Sequence, residues 1–109
     1  MAFPGEFELM VLLAVLRLGD QAFAVEVLRE LDDRAGRKVS RGALYKTLER
    51  MHEKNLVEWD IEETMPGRGG HPRRRFRVTP SGVAAVRVSQ HALRRLSQGL
   101  DDVLGGEVR

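Results

Sequence analysis

The sequence predicts a mainly α-helical fold that carries one small antiparallel β-hairpin. Three observations support this fold class. Apolar residues recur at helical spacing in four segments of the 109-residue chain, one stretch alternates apolar and charged residues, and an arginine-rich stretch with glycines follows it. The length is that of one domain. We therefore take the elements as parts of a single core.

The first predicted helix is the apolar run FELMVLLAVLRL, residues 7–18. It is too short to span a bilayer and it contains Arg17, so we predict no membrane segment here. Its apolar residues fall on nearly every side, which indicates contacts with the core and with a second surface. A central helix in one globule and a contact between two chains are both compatible with this pattern.

The next two helices have the spacing of a helix-turn-helix. The helix over residues 24–34 stops at Gly36, which readily adopts the left-handed conformation of a helix C-terminus. Ser40 is a good N-cap for the following helix, which Asn55 can terminate. Apolar residues recur at helical spacing in both helices: Val25, Leu28 and Leu31 in the first, and Leu44, Leu48 and Met51 in the second, where we expect them to face inward.

A change to alternating periodicity marks a β-hairpin. In LVEWDIEE, residues 56–63, every second residue is apolar, and the same holds near Phe76 and Val78. Aligning the apolar faces pairs Val57 with Val78 and Trp59 with Phe76. This register places three acids opposite three arginines: Glu58 opposite Arg77, Asp60 opposite Arg75 and Glu62 opposite Arg73.

Positive charge is concentrated in residues 67–78, GRGGHPRRRFRV, which hold five arginines and no acid. The rest of the chain has thirteen basic and sixteen acidic residues, an asymmetry that favours an anionic polymer as partner. We expect Arg75 and Arg77 to form exposed cross-strand ion pairs. Arg68 and Arg74 have no assigned acidic partner and Arg73 lies at the rim, so these three are the better candidates for free charges.

A long last helix is predicted after the hairpin, because Thr79 can serve as its N-cap and Pro80 as its first residue. We expect more than twenty residues of helix, with Gly82 and Ser89 as weak points in its apolar stripe. That stripe repeats every seven residues and has a complementary seam: Val86, Leu93 and Leu100, joined by Leu96 and Val103.

The stripe of this helix is longer than the domain before it, so it needs a partner. A second copy of the chain could supply one, with the first helix as the other half of the seam. The alternative is a helix that folds back over its own domain. The predicted homodimer contacts are Leu9, Leu12, Leu13, Leu16, Val86, Leu93, Leu96 and Leu100. The predicted division is a domain of three helices and the hairpin over residues 1–79, followed by a dimerisation helix and tail over residues 80–109.

Side chains that support catalysis or metal binding are not grouped in the sequence. Cysteine is absent, which excludes disulfides and thiolate chemistry and fits a cytoplasmic protein. His52, His71 and His91 are isolated, and no acidic pair has histidines at ligand spacing. We therefore predict no enzymatic activity, no metal and no cofactor.

Together these elements make a winged helix-turn-helix, and the sequence resembles the PadR-like transcriptional regulators. Three stretches carry the resemblance: residues 5–27, residues 39–59 with VSRGALYKTLERMHEKNLVEW, and residues 67–82 with GRGGHPRRRFRVTPSG. The resemblance implies a dimeric DNA-binding regulator, generally a repressor, that often responds to a small molecule. The chain departs from the family pattern where Asn55 replaces a glycine and where Arg75-Phe76 replaces a frequent pair of tyrosines.

The residue types at the third helix and the wing suit double-stranded DNA. A helix N-terminus capped by Ser40 offers N–H groups and positive dipole to a phosphate, and Gly42 permits close approach. The first turns of such a helix enter a major groove. The predicted DNA contacts are Ser40, Arg41, Gly42, Tyr45, Lys46, Arg68, Arg73 and Arg74. Two alternatives stay open: Tyr45 could instead pack on the core, and the module could instead bind an acidic protein.

Overall fold

The computed structural model describes residues 3–62 and 72–105, and within these ranges the fold is mainly helical with one two-stranded sheet. The helices are α1 Glu6–Leu18, α2 Ala24–Ala35, α3 Arg41–Glu53, α4 Pro80–Ser97 and α5 Asp101–Leu104. The antiparallel strands are β1 Val57–Glu62 and β2 Arg73–Val78. In the part of the chain that is described, no helix is both long and apolar enough to cross a membrane.

Helix α1 is the central element of the fold, since it packs against α2, α3, α4 and β2. Its first turn is closed by the N–H of Gly5, which donates to Glu8 Oε1 at 3.0 Å. Of the two alternatives left open by the sequence, the structure shows the central helix, and a contact between two chains stays a prediction. The buried side chains of the core come from four helices and the sheet, and they include Val11, Leu12, Val15, Val27, Leu31, Leu44, Leu48, Met51, Val57, Phe76 and Val86.

The predicted boundaries of the helix-turn-helix are confirmed by the backbone. Gly36 ends α2 with φ 61° in the left-handed region, and its N–H donates to the Asp32 carbonyl. Ser40 caps α3, because its Oγ accepts from the N–H of Ala43 at 3.0 Å. Asn55 reverses the chain after α3 with φ 63°. These local devices fix the angle at which α3 leaves α2.

The hairpin has the predicted register at every predicted position. Val57 lies opposite Val78, Trp59 opposite Phe76, and the three acids of β1 lie opposite the three predicted arginines. The second edge of β2 is also covered, because the N–H of Phe76 donates to the carbonyl of Ala22 at 2.8 Å. The segment before α2 therefore makes a backbone hydrogen bond to the free edge of β2, which the sequence analysis did not predict.

Helix α4 is anchored to the end of α3 by Thr79. Its Oγ1 accepts from the N–H of Gly82 at 2.9 Å and donates to the carbonyl of Asn55 at 2.6 Å. A Cβ on Gly82 would lie 2.2 Å from the carbonyl oxygen of Leu56. The sequence analysis treated Gly82 as a weak point of the helix, whereas the structure requires it for the close approach of two backbones.

The last helix is shorter than predicted, so the prediction of an uninterrupted helix of more than twenty residues is wrong. Helix α4 has 18 residues and ends at Ser97. Gly99 then takes φ 81°, which is outside the right-handed helical region and breaks the repeat. Leu100 and Val103 consequently lie beyond α4 and do not continue its stripe.

Candidate nucleic-acid interface

The N-terminal turn of α3 is open to solvent. Ser40, Arg41 and Gly42 are exposed, and the nearest atom to an ideal Cβ on Gly42 is Ser40 Oγ at 4.0 Å. The cap occupies one of the N–H groups that a helix leaves without an intrahelical acceptor. The N–H groups of Arg41 and Gly42 thus point to the surface, where an anion can accept from them.

Arg41 and Lys46 project from this end of α3 as exposed cations. In the part of the chain that the structure describes, neither of them forms an ion pair. Their charges are therefore available to an external anion. This agrees with the residue types that the sequence analysis selected, although a DNA contact by either residue is a prediction that the structure does not test.

A cavity of about 310 Å³ lies between α2, α3 and β2. We call it the basic cleft, and it is lined by Phe23, Ala24, Val25, Glu26, Arg41, Tyr45, Pro72, Arg73 and Arg74. The fold thus brings together side chains that are more than thirty positions apart in the sequence. Four of the predicted DNA contacts share this cleft.

The outer face of the hairpin carries the predicted ion pairs. The guanidinium of Arg77 contacts Glu58 at 2.8 Å and Asp60 at 3.0 Å. These contacts, chiefly the hydrogen bond to Glu58, raise the pKa of Arg77. Arg75 is also paired as predicted, but with Glu62 at 3.2 Å and not with Asp60 directly across the strands. The pairing is therefore diagonal as well as direct.

Arg73 is not a free charge, and that prediction is wrong. Its Nη2 lies 2.7 Å from Glu62 Oε1, and its guanidinium carbon lies 3.9 Å from the ring centroid of Phe23. The hydrogen bond from Arg73, followed by that from Arg75, holds the pKa of Glu62 below its ordinary value. The sequence analysis placed Arg73 at the rim, but the turn before α2 brings Phe23 over it.

Arg74 is not free either. It lies on the hairpin face opposite to Arg73 and packs over the rings of Trp59 at 4.7 Å and Tyr45 at 5.7 Å. Its Nη1 also lies 3.8 Å from Glu49 Oε1. Two of these partners belong to α3, so no pairing within the hairpin could have predicted them.

The remaining predicted wing contact, Arg68, lies outside the described residues. Tyr45 packs on the core, since its half-buried ring meets Phe76 with centroids 6.2 Å apart, and it also lines the basic cleft. A DNA contact by Tyr45 stays a prediction. His52, which the sequence analysis treated as isolated, stacks on Trp59 with centroids 4.3 Å apart. No group of potential metal ligands is found in the described part of the chain.

Two of the predicted dimer contacts are internal, so their assignment is wrong. Leu12 is fully buried and Val86 nearly so, both in the core of the chain itself. A side chain that already packs inside one chain cannot contact a second. The sequence analysis missed this because apolar residues of α1 and of the first turns of α4 pack into the same core.

The other predicted dimer contacts are at least partly accessible. Leu9 and Leu13 are partly buried and Leu16 and Leu100 are exposed, whereas Leu93 and Leu96 are exposed by 56% and 76%. A cavity of about 380 Å³ joins α1 to α4 on this side. We call it the apolar groove, and it is lined by Phe3, Pro4, Glu6, Leu9, Ser89, Ala92, Leu93 and Leu96.

Sequence analysis missed an ion pair between the buried Glu8 and the half-exposed Lys54. Glu8 is only 6% exposed, and the Lys54 ammonium lies 3.1 and 3.3 Å from its two carboxylate oxygens. Burial alone would raise the pKa of Glu8, but the N–H of Gly5 and the Lys54 ammonium outweigh it, and the pKa lies below its ordinary value. The sequence signal was an acid inside the most apolar run.

Comparisons with known proteins agree with this architecture. The family model described as "Transcriptional regulator PadR-like family" matches residues 12–88. Transcriptional regulator Rv3488 of Mycobacterium tuberculosis is 38% identical over 74 residues, which is 68% of this chain and 63% of that relative. The chain thus spans less than two thirds of the length of that relative.

Solved structures share the fold. A PadR family transcription regulator from hypervirulent Clostridium difficile R20291 superposes with a TM-score of 0.71 at 20% identity, over 93% of this chain and 100% of that one. A PadR-like transcriptional regulator from Bacillus cereus gives 0.69 at 21% identity, over 93% of each chain. The family model covers residues 12–88, and the mycobacterial relative aligns with 68% of the chain. The chain therefore belongs to the PadR-like family of transcriptional regulators.

Proposed function

We propose that this transcriptional regulator is a homodimer that binds double-stranded DNA sequence-specifically and acts as a repressor. The observation that carries the proposal is the basic cleft, in which Arg41 and Tyr45 of α3 meet Arg73 and Arg74 of β2. A helix end and a wing that share one cationic surface suit a duplex, whose phosphates and groove edges lie side by side.

The cations of this surface differ in whether they already have an acidic partner, and we propose different roles for them on that basis. Arg41 and Lys46 are exposed and without acidic partners among the described residues, so they are the better phosphate contacts. Arg73 is held by Glu62 and Phe23, which leaves one side of its guanidinium toward the cleft. Arg68 stays a predicted contact on the basis of its sequence position.

The apolar groove supports the proposed homodimer. Leu93 and Leu96 are large apolar side chains on the outer face of α4, and Leu9 of α1 lines the same groove. Covering them with the same face of a second copy would remove this apolar surface from water. The winged helix over residues 1–79 would then be presented twice, with residues 80–109 as the dimerisation segment.

The same groove is the proposed place for a small-molecule effector. Its volume of about 380 Å³ and its mostly apolar lining fit a small ligand with few polar atoms. A ligand between α1 and α4 would change the distance between the two winged helices of the dimer. We place the protein in the cytoplasm and assign it no cofactor and no catalytic role.

Selection of DNA fragments by the purified protein, followed by footprinting, tests the proposal. We expect two protected half-sites about 34 Å apart, which is one helical turn of DNA. With four phosphates neutralised per subunit, log K against log salt is expected to have a slope of about −7. Equal binding to any duplex and to an acidic polypeptide would contradict the proposal and favour a protein-interaction module.

A further inference from the structure

The geometry points to a positioning role for Arg74 and Trp59, which fix the ring of Tyr45 at the surface where the proposed DNA ligand binds. The inference rests on the proposed function and goes beyond it, because it removes Arg74 from the phosphate contacts and assigns Trp59 a part in DNA recognition. It predicts that these two hairpin residues control how α3 presents Tyr45 to the bases or to the backbone of the DNA.

The first step is the placement of the Arg74 guanidinium. Its carbon lies 4.7 Å from the centroid of Trp59 and 5.7 Å from that of Tyr45, so one planar cation contacts a ring on β1 and a ring on α3. Glu49 adds a carboxylate 3.8 Å away. Arg74 is thus held by three side chains from two elements, and its own side chain is only 37% exposed.

The second step is the aromatic contact beneath it. Phe76 is fully buried, and its ring meets Tyr45 at 6.2 Å and Trp59 at 5.8 Å in edge-to-face geometry. These distances are within the range in which aromatic pairs attract each other. Tyr45 is therefore confined by Phe76 on one side and by Arg74 on another, while the rest of its ring lines the basic cleft.

The third step separates positioning from direct contact. The Glu49 carboxylate 3.8 Å from the Arg74 guanidinium offsets part of its positive charge, so Arg74 should release fewer counterions from DNA than a cation with no acidic neighbour. Its loss should change the affinity without changing the salt dependence. Lys46 is the matched opposite, because it is an exposed cation with no such contacts among the described residues.

The binding arm of the test compares three variants. Arg74→Lys keeps the positive charge but loses the planar guanidinium, Trp59→Leu removes the ring beneath it, and Lys46→Met is the control. We expect each of the first two to weaken binding to the selected duplex about tenfold with the salt slope unchanged. Their effects should not add in the double variant, because both act on one contact. Lys46→Met should instead reduce the slope by about 2 per dimer. Trp59→Phe keeps an aromatic face and should restore most of the affinity.

The structural arm uses the fact that the chain has one tyrosine and one tryptophan. Fluorotyrosine incorporation gives a single ¹⁹F resonance, which reports the Tyr45 ring in the free, folded protein. Arg74→Lys and Trp59→Leu should shift and narrow this resonance as the ring gains motion, and Lys46→Met should not.

Wild-type affinity of Arg74→Lys with an unchanged fluorine resonance would overturn the positioning role. A slope reduced by Arg74→Met as much as by Lys46→Met would overturn it as well, since Arg74 would then be a phosphate contact. If the wild-type protein selects no duplex, the proposed function fails instead, and the fluorine resonance still decides whether Arg74 and Trp59 hold the ring.

Discussion

The hairpin and the terminal helix were both predicted from periodicity, yet only the hairpin follows its prediction at every strand residue that the structure describes. Strands β1 and β2 pair in the expected register, whereas α4 stops at Ser97 before the expected seam is complete. Both strands of the hairpin belong to the same chain, so the sequence contains both sides of the contact between them. The apolar stripe of α4 packs on the described part of its own chain as far as the buried Ser89, whereas Leu93 and Leu96 are exposed, so the pattern does not by itself define the length of the helix.

A second difference separates the two regions. The start of α4 is fixed by a hydrogen-bonded cap and by direct backbone contact at Gly82, whereas the outer hairpin face is fixed by exposed ion pairs. Close packing tolerates no added atom, while an exposed pair loses little when one partner is removed. The following predictions use this difference, from the largest expected effect to the smallest.

Gly82→Ala should be the most damaging single change at the start of α4. A Cβ there meets the Leu56 carbonyl oxygen at 2.2 Å and Val78 Cγ1 at 2.5 Å, so α4 must move away from the hairpin. We expect a loss of about 3 kcal/mol in the free energy of unfolding, measured by urea denaturation. The matched control is Gly42→Ala, whose Cβ meets open space and should leave stability unchanged or slightly higher. Equal losses at both positions would contradict the packing argument.

Leu93→Ser combined with Leu96→Ser should weaken the proposed dimer about 100-fold, because two exposed leucines lose the apolar surface that a second copy would cover. Sedimentation velocity over a range of concentrations measures the association. The control is Val103→Ser, since Val103 is 81% exposed in α5, after the break at Gly99. The sequence seam included Val103, so an equal effect of both variants would support the seam over the structure.

Glu8→Gln should cost about 1 kcal/mol at pH 7, because it removes the buried negative charge that accepts from the half-exposed Lys54 ammonium and from the N–H of Gly5. The folded pKa of Glu8 lies below its unfolded value, so the stabilisation is present above about pH 4.3 and is lost as the pH falls through the folded pKa. The variant should therefore lose less stability than the wild type on acidification, as measured by thermal denaturation between pH 7 and pH 3. Glu6→Gln, on an exposed side chain, is the control.

Arg77→Ala should have the smallest effect of the four. Its partners Glu58 and Asp60 are about half exposed, so water and salt screen the pair. We expect a small decrease in Tm in low salt that disappears at 1 M salt, and no change in the slope of DNA binding against salt. A flattened slope would show that Arg77 contacts phosphate, contrary to its assignment to the ion-pair ladder.

Sequence reasoning located the caps, the turn and the strand register, because each depends on residues that are close in the chain or opposite in one hairpin. Ser40, Gly36 and Asn55 act through their own backbone or their nearest neighbours. It failed for Arg73 and Arg74, whose partners include Phe23 and Tyr45 from other elements. Charge alone made both arginines look available, but aromatic faces from distant segments cover them.

The burial of Leu12 and Val86 shows the same limit. Heptad spacing identifies which residues are apolar, and it cannot tell whether the covering surface belongs to the same chain or to another. The break at Gly99 is a further case, since glycine is tolerated in helices and only its φ shows that it ends one.

Local backbone preference and periodicity were enough to predict the winged helix-turn-helix, and the resemblance of its motifs indicated the family. The tertiary structure decided which cations are available, which leucines reach the surface and why Gly82 has no room for a side chain. The physical reason is range: caps and strand pairing act over a few residues, whereas burial, ring stacking and desolvation depend on whatever segment the fold places alongside.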